Sequence, residues 1–182
     1  PKERREHQAV VGYLHERLEG MVPELEAAAA PRLLKLEHVQ HLHTPFRGRL
    51  SDDDAGKGVL ELASQVHPTP AVAGVPTATA LDWLRRHEPL DRGWYAGGVG
   101  TVAPRGEGEF CVAIRSALLL PGEVRLYAGA GIVEGSEPAQ ERAETEQKLR
   151  GLREALAGQD RGDAPRSVGR LGVEGAESRA HV

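Results

Sequence analysis

Apolar residues recur at helical spacing in some stretches of this chain and alternate at strand spacing in others. Val10, Leu14, Leu18 and Met21 return at intervals of four and three among charged neighbours, which predicts an amphipathic helix over 2–20. Pro23 and Pro31 bracket a short alanine-rich piece, 24–30. Residues 33–43 suit one strand, with Leu34, Leu36, His38, Gln40 and Leu42 on one face, although the alternation is not clean. Thr44-Pro45 ends that run, and 46–50 reads as a second short strand before the Asp52-Asp53-Asp54 turn. A short helix is predicted over 58–66, stopped by His67-Pro68-Thr69-Pro70, whose paired prolines set an extended loop. Helix resumes over 77–87, with Thr77 as its N-cap and Ala80, Leu81 and Leu84 facing inward.

From residue 94 the period changes to two. Strands are predicted over 94–103, 110–120 and 124–133, joined by turns at 104–108 and at Pro121-Gly122, as an antiparallel β-meander. A helix over 138–157 follows, ended by Gly158. Residues 158–182 are glycine-rich and poor in apolar side chains, so they are expected to be a disordered tail. The expectation is an α+β domain over 1–157, an antiparallel meander packed with helices.

Composition narrows the class. At 182 residues, 40% hydrophobic and 27% charged, the chain suits one soluble globular domain. Aromatics are only 4%, so Leu, Val, Ile and Ala must build the core. A net charge of -4, with no basic stripe, argues against nucleic-acid binding. No apolar run approaches the ~18 residues of a membrane span and no signal peptide is visible, so a cytoplasmic protein is expected. The lone Cys111 forms no intrachain disulfide, and its alternating context reads as a small core residue rather than a nucleophile. The chain opens at Pro1, which fits either initiator removal or a piece that begins inside a larger domain.

The densest chemistry lies in 127–148. Ala128-Gly129-Ala130-Gly131 precedes a helix whose Glu137, Glu141, Glu144 and Lys148 sit at offsets 0, 4, 7 and 11, one stripe beside Leu149, Leu152 and Leu156. Bare glycines admit a ligand close to the backbone. Together they suit an anionic ligand with a hard cation such as magnesium; a solvated acidic face is the plainer alternative. Arg115 stands in an otherwise uncharged strand, where its fork suits a carboxylate or its stem snorkels to water. A two-residue turn at Pro121-Gly122 would set Arg115 opposite Ala128. His38, His41 and His43 with His67 offer nitrogen ligands, but without a His-Glu-x-x-His run ordinary polar roles are the simpler account. Gly97-Gly98-Val99-Gly100 lacks the Lys-Ser or Lys-Thr of a phosphate loop and reads as close packing in the meander.

Seven stretches in order carry a family resemblance: 2–11 (KERREHQAVV), 41–50 (HLHTPFRGRL), 67–76 (HPTPAVAGVP), 88–100 (EPLDRGWYAGGVG), 112–117 (VAIRSA), 125–133 (RLYAGAGIV) and 136–148 (SEPAQERAETEQK). In this register the chain resembles the chorismate-utilising enzymes, and among them the isochorismate synthases. The HPTPAV loop points there, because anthranilate, aminodeoxychorismate and salicylate synthases differ at that loop. The resemblance implies conversion of chorismate to isochorismate, toward menaquinone or a catechol or salicylate siderophore. It implies magnesium held by Glu6 and Glu144, with Glu141 a direct or water-mediated ligand. It puts Arg115, Lys148, Tyr127 and the backbone of Gly129 and Gly131 on the substrate carboxylates, and Tyr95, His41, Thr69 and Ala71 along the pocket.

The family domain is longer and begins well upstream of Lys2. Its general base, a lysine, and general acid, a glutamate, lie in that upstream half, so no residue here is given either role. An incomplete fold with exposed apolar edges is therefore expected, as a monomer or weak oligomer with chorismate as its small-molecule partner. The alternatives are a non-catalytic remnant that binds a ligand or partner, and a sibling enzyme of the salicylate or anthranilate synthase type.

Overall fold

The computed structural model describes residues 2–35 and 40–159. Helix α1 (Lys2–Leu18) leads into short strands β1 (Glu26–Ala27), β2 (Arg32–Lys35), β3 (Gln40–His43) and β4 (Phe46–Arg47). Helices α2 (Val59–Val66) and α3 (Thr77–His87) follow, then strands β5 (Gly98–Val102), β6 (Gly108–Val112), β7 (Ser116–Leu120) and β8 (Glu123–Tyr127), then helix α4 (Pro138–Gln159). The described ladders are all antiparallel and two-stranded, pairing β1 with β4, β2 with β3, β5 with β6 and β7 with β8. The mixture of helices and antiparallel strands is the α+β class expected.

The core is small and sits where α1 ends. Leu18, Met21 and Val22 are buried, with Leu25, Leu50, Leu62 and Val66 packed against them. The spacing of Val10, Leu14 and Leu18 thus does what its period requires, turning one face of α1 inward. Helix α2 packs against α1 and also against β6. Its amino end is held by two hydrogen bonds: Glu61 accepts from the Gly58 amide at 3.0 Å, and Gly106 O accepts from Val59 N at 2.8 Å. A Cβ on Gly58 would meet Gly106 O at 3.1 Å, so this approach favours glycine.

Several expected elements change. The run 33–43 is not one strand: β2 turns back as β3, pairing Leu34 with His41 and Arg32 with His43. An unbroken strand would leave both edges unpaired, whereas folding back satisfies a ladder. The reversal, with Leu36 and His38, lies outside the described residues. The run 110–120 also breaks, because Arg115 adopts φ 49° and Ile114 N donates to Val112 O at 2.8 Å. A left-handed residue cannot continue a strand, so the meander resolves into two hairpins. Strand β8 ends at Tyr127, and residues 128–133 leave the ladder.

Smaller corrections follow the same logic. Pro76, with ψ 138°, is the N-cap of α3 and its carbonyl accepts from Ala80 N, so Thr77 is the first helical residue. Helix α4 runs through Gly158 to Gln159, and Gly158 is not left-handed as a glycine stop requires. The rest of the tail expected from 158 lies outside the described residues. Cys111 is exposed rather than in the core. Leu119 (66% exposed), Ile132 (72%) and Trp94 (85%) are likewise uncovered, the exposed apolar surface expected of an incomplete fold. Among the described residues no helix is long and apolar enough to cross a membrane.

Candidate metal and dicarboxylate site

Helices α1 and α4 bring three carboxylates together from opposite ends of the chain. Glu6 lies one turn into α1; Glu141 and Glu144 lie on the first turns of α4. The Lys2 ammonium stands among them, 2.5 Å from Glu141 Oε1, 3.3 Å from Glu6 Oε1 and 3.6 Å from Glu144 Oε2. Glu141 is 7% exposed, which is exceptional for a carboxylate. Glu141 Oε2 is buried without a hydrogen-bond partner, and the buried Glu6 Oε1 has only the Lys2 ammonium at 3.3 Å. Such atoms cost free energy unless a cation or donor meets them, so the oxygen donor set fits a hard cation. Among the described residues no three His, Cys, Asp or Glu side chains already form a metal-binding group.

The electrostatics of the cluster are uneven. Burial pushes the Glu6 carboxyl above the usual range, against the pull of Lys2. Burial would raise Glu144 too, but the hydrogen bond and charge of Lys148, with the charge of Lys2, hold it below its ordinary value. For Lys2, burial is outweighed by its bond to Glu141 and the charge of Glu6, so its pKa stands above that of a free lysine. Lys2 was not among the residues singled out from the sequence, although its spacing of four from Glu6 was there to be read.

The glycine segment closes against this cluster. Lys148 Nζ donates to Gly129 O at 2.9 Å while pairing with Glu144 Oε1 at 2.7 Å. A Cβ on Gly131 would lie 2.6 Å from Glu6 Oε2, and one on Gly129 would lie 2.7 Å from Tyr95 Oη. A side chain at Gly129 would therefore displace the Tyr95 hydroxyl, and one at Gly131 the Glu6 carboxylate. Tyr95 stacks on Tyr127 with ring centroids 5.5 Å apart, and burial raises its phenol pKa.

Arg115 reaches back to strand β3 of the β2–β3 hairpin. Its Nη1 donates to His41 Nε2 at 3.0 Å. The β7–β8 register, with Leu120 opposite Glu123 across Pro121-Gly122, sets Arg115 opposite Ala128 just beyond the ladder, as the two-residue turn predicted. Burial, then the charges of Arg115 and Lys148, push the His41 pKa down. Of the other histidines, His7 bonds Thr44 Oγ1 at 2.6 Å and His43 is exposed, so both take polar roles.

Arg92 is a second residue the sequence reading missed. Its guanidinium grips Glu88 at 2.5 and 2.9 Å, donates to Val72 O at 2.8 Å, and lies 5.8 Å from the Tyr95 ring centroid. Thr69 O accepts from Val72 N and Ala73 N, both at 3.1 Å. The loop carrying Thr69 and Ala71 thus connects to Tyr95 through Arg92, at one remove from the carboxylates. Glu137 is exposed and begins the turn that opens α4.

The family described as "Chorismate binding enzyme" matches residues 1–157. The chain belongs to this family. Its sequence is 52% identical over 156 residues to a salicylate biosynthesis isochorismate synthase of Pseudomonas aeruginosa, covering 86% of this chain and 32% of that protein. It is 43% identical over 155 residues to the isochorismate synthase MenF of Escherichia coli, covering 85% of this chain and 35% of that one. The fold superposes on the 2,3-dihydroxybenzoate-specific isochorismate synthase DhbC of Bacillus anthracis with a TM-score of 0.82 at 37% identity, covering 86% of this chain and 41% of that chain. The chain spans about a third of the length of these curated relatives.

Proposed function

We propose that the protein carrying this chain is an isochorismate synthase, converting chorismate to isochorismate with magnesium. The observation that carries this reading is the meeting of Glu6, Glu141 and Glu144 around Lys2, with the buried Glu141 Oε2 left without a partner, beside the Lys148–Gly129 contact. Chorismate is a dicarboxylate. Its recognition needs cations and close backbone, which Arg115, Lys148, Gly129 and Gly131 supply.

Magnesium, when bound, would neutralise a substrate carboxylate and fix the ring. Glu6 and Glu144 would hold it, with Glu141 direct or through water. Arg115 would take a substrate carboxylate, oriented by His41. Tyr95, on Tyr127 and under Arg92, would wall the pocket. In the overall reaction water adds at one ring carbon and hydroxide, taking up a proton, leaves from another. The proton transfers are assigned to no residue of this chain. The role we propose is supply of isochorismate toward menaquinone or a catechol or salicylate siderophore; relatives are named for salicylate biosynthesis, 2,3-dihydroxybenzoate and menaquinone.

Product analysis of the full-length protein with chorismate and magnesium tests the reading. Isochorismate is expected as the main product; salicylate or anthranilate would overturn it.

A further inference from the structure

Lys2 occupies the space that the carboxylates converge on. Its ammonium contacts Glu141, Glu6 and Glu144 together, and its side chain keeps 20% of its exposure, so a path to solvent remains. Even so, the buried Glu141 Oε2 lacks a hydrogen-bond donor, and Glu6 Oε1 has only the long 3.3 Å contact to Lys2. The three donors of one ammonium are shared among three carboxylates of which only Glu141 is buried, and they leave Glu141 Oε2 unmet. We propose that Lys2 is a built-in counter-ion of the carboxylate cluster, displaced when a divalent cation binds. The inference rests on the magnesium reading above.

The argument is one of space and charge. Lys2 Nζ lies 2.5–3.6 Å from an oxygen of each of the three carboxylates, so a dication held by these residues would compete with it for the same oxygens and repel it. Lysine has a flexible stem and a strongly hydrated head, which makes its departure to water easy. The exchange also changes the charge the substrate meets. Three carboxylates with Lys2 and Lys148 leave one net negative charge; a dication in place of Lys2 brings the cluster to neutrality. Lys2 would thus set cation selectivity, because a monovalent ion gains nothing over the ammonium already present.

The test is Mn2+ binding to the full chain without chorismate, read as loss of the free Mn2+ electron-resonance signal, for the wild type, Lys2→Met and Lys2→Arg. Lys2→Met is expected to bind at least about tenfold tighter, and Lys2→Arg, which keeps the charge, to match the wild type. Equal or weaker binding by Lys2→Met overturns the exchange. A second measurement stands if Lys2→Met does not fold. In the wild type with 13C-methylated lysines, the Lys2 resonance, assigned by its absence from Lys2→Arg, should move on Mg2+ saturation. A resonance that stays put while the metal binds sinks the exchange alone. No binding by any form removes the magnesium reading, and the exchange with it.

Discussion

Arg115 Nη1 lies 3.0 Å from His41 Nε2, although 74 residues separate the two in the chain. A guanidinium only donates, so His41 accepts and its imidazole is neutral, with the proton on Nδ1. The contact aims a strand-end arginine that sits at φ 49° beside the glycine segment. Arg115→Ala should weaken chorismate binding by about 10–100-fold, the worth of hydrogen bonds to a charged group. Calorimetry with chorismate checks this, and an unaltered affinity would count against it. His41→Gln keeps an acceptor and should lose less than His41→Leu.

Acid should destabilise the fold through two histidines. Burial is the first cause that lowers both pKa values, joined by Arg115 at His41 and by His43 at His7. The unfolded chain then takes up protons near 6.5, the ordinary histidine value, while the folded chain resists until lower pH. More protons on the unfolded state means stability rises with pH in that window, so it is present above 6.5 and lost below it. Urea midpoints at a series of pH values across this window should therefore fall on acidification. His41→Gln should flatten the slope; an unchanged slope in that variant would remove His41 from the account. Glu6, whose raised pKa acts in the opposite sense at lower pH, is common to both proteins and cancels in the comparison.

Two glycine substitutions should separate function from folding. In Gly131→Ala the new Cβ meets the end of the Glu6 side chain at 2.6 Å, which can move aside. Divalent-cation affinity should drop while the melting temperature barely changes. In Gly100→Ala the Cβ meets Glu109 O at 2.1 Å, a backbone atom of the paired strand, which cannot. That variant should lose about 1–3 kcal/mol or more of stability. Thermal denaturation of both, with metal titration of the first, reads the difference.

Glu144→Ala should abolish magnesium-dependent turnover in the full-length protein, by at least about 100-fold. Glu144 contacts Lys2 at 3.6 Å and holds Lys148 at 2.7 Å; on the proposed magnesium reading its loss would remove one ligand and free Lys148. Initial rates at saturating magnesium decide; unchanged activity would refute the role.

Much of this was legible in the chain. The helices were readable from the three-to-four spacing of Val10, Leu14 and Leu18, and of Leu149, Leu152 and Leu156, because helical burial follows local period. The β7–β8 register followed from Pro121-Gly122, because a two-residue turn leaves no slack. The stripe of Glu141, Glu144 and Lys148 was visible too. The breaks at Arg115 and within 33–43 were not, because alternation reports which face a residue takes and says nothing of where a strand leaves its partner. The expectation for Cys111 failed for a related reason: alternation cannot say whether a second layer covers the sheet.

What the sequence by itself determined is local: helical faces, hairpin turns, the two bare glycines and the stripe of Glu141, Glu144 and Lys148 on one helix. Only the tertiary structure decided which of them meet. Lys2 and Glu141 touch although they start opposite ends of the described chain, Arg115 finds His41, and Arg92 joins Val72 to Tyr95. Periodicity acts over a turn or a strand. Contacts across more than a hundred residues depend on how buried faces pack, and a desolvated charge then takes whichever partner that packing brings within reach.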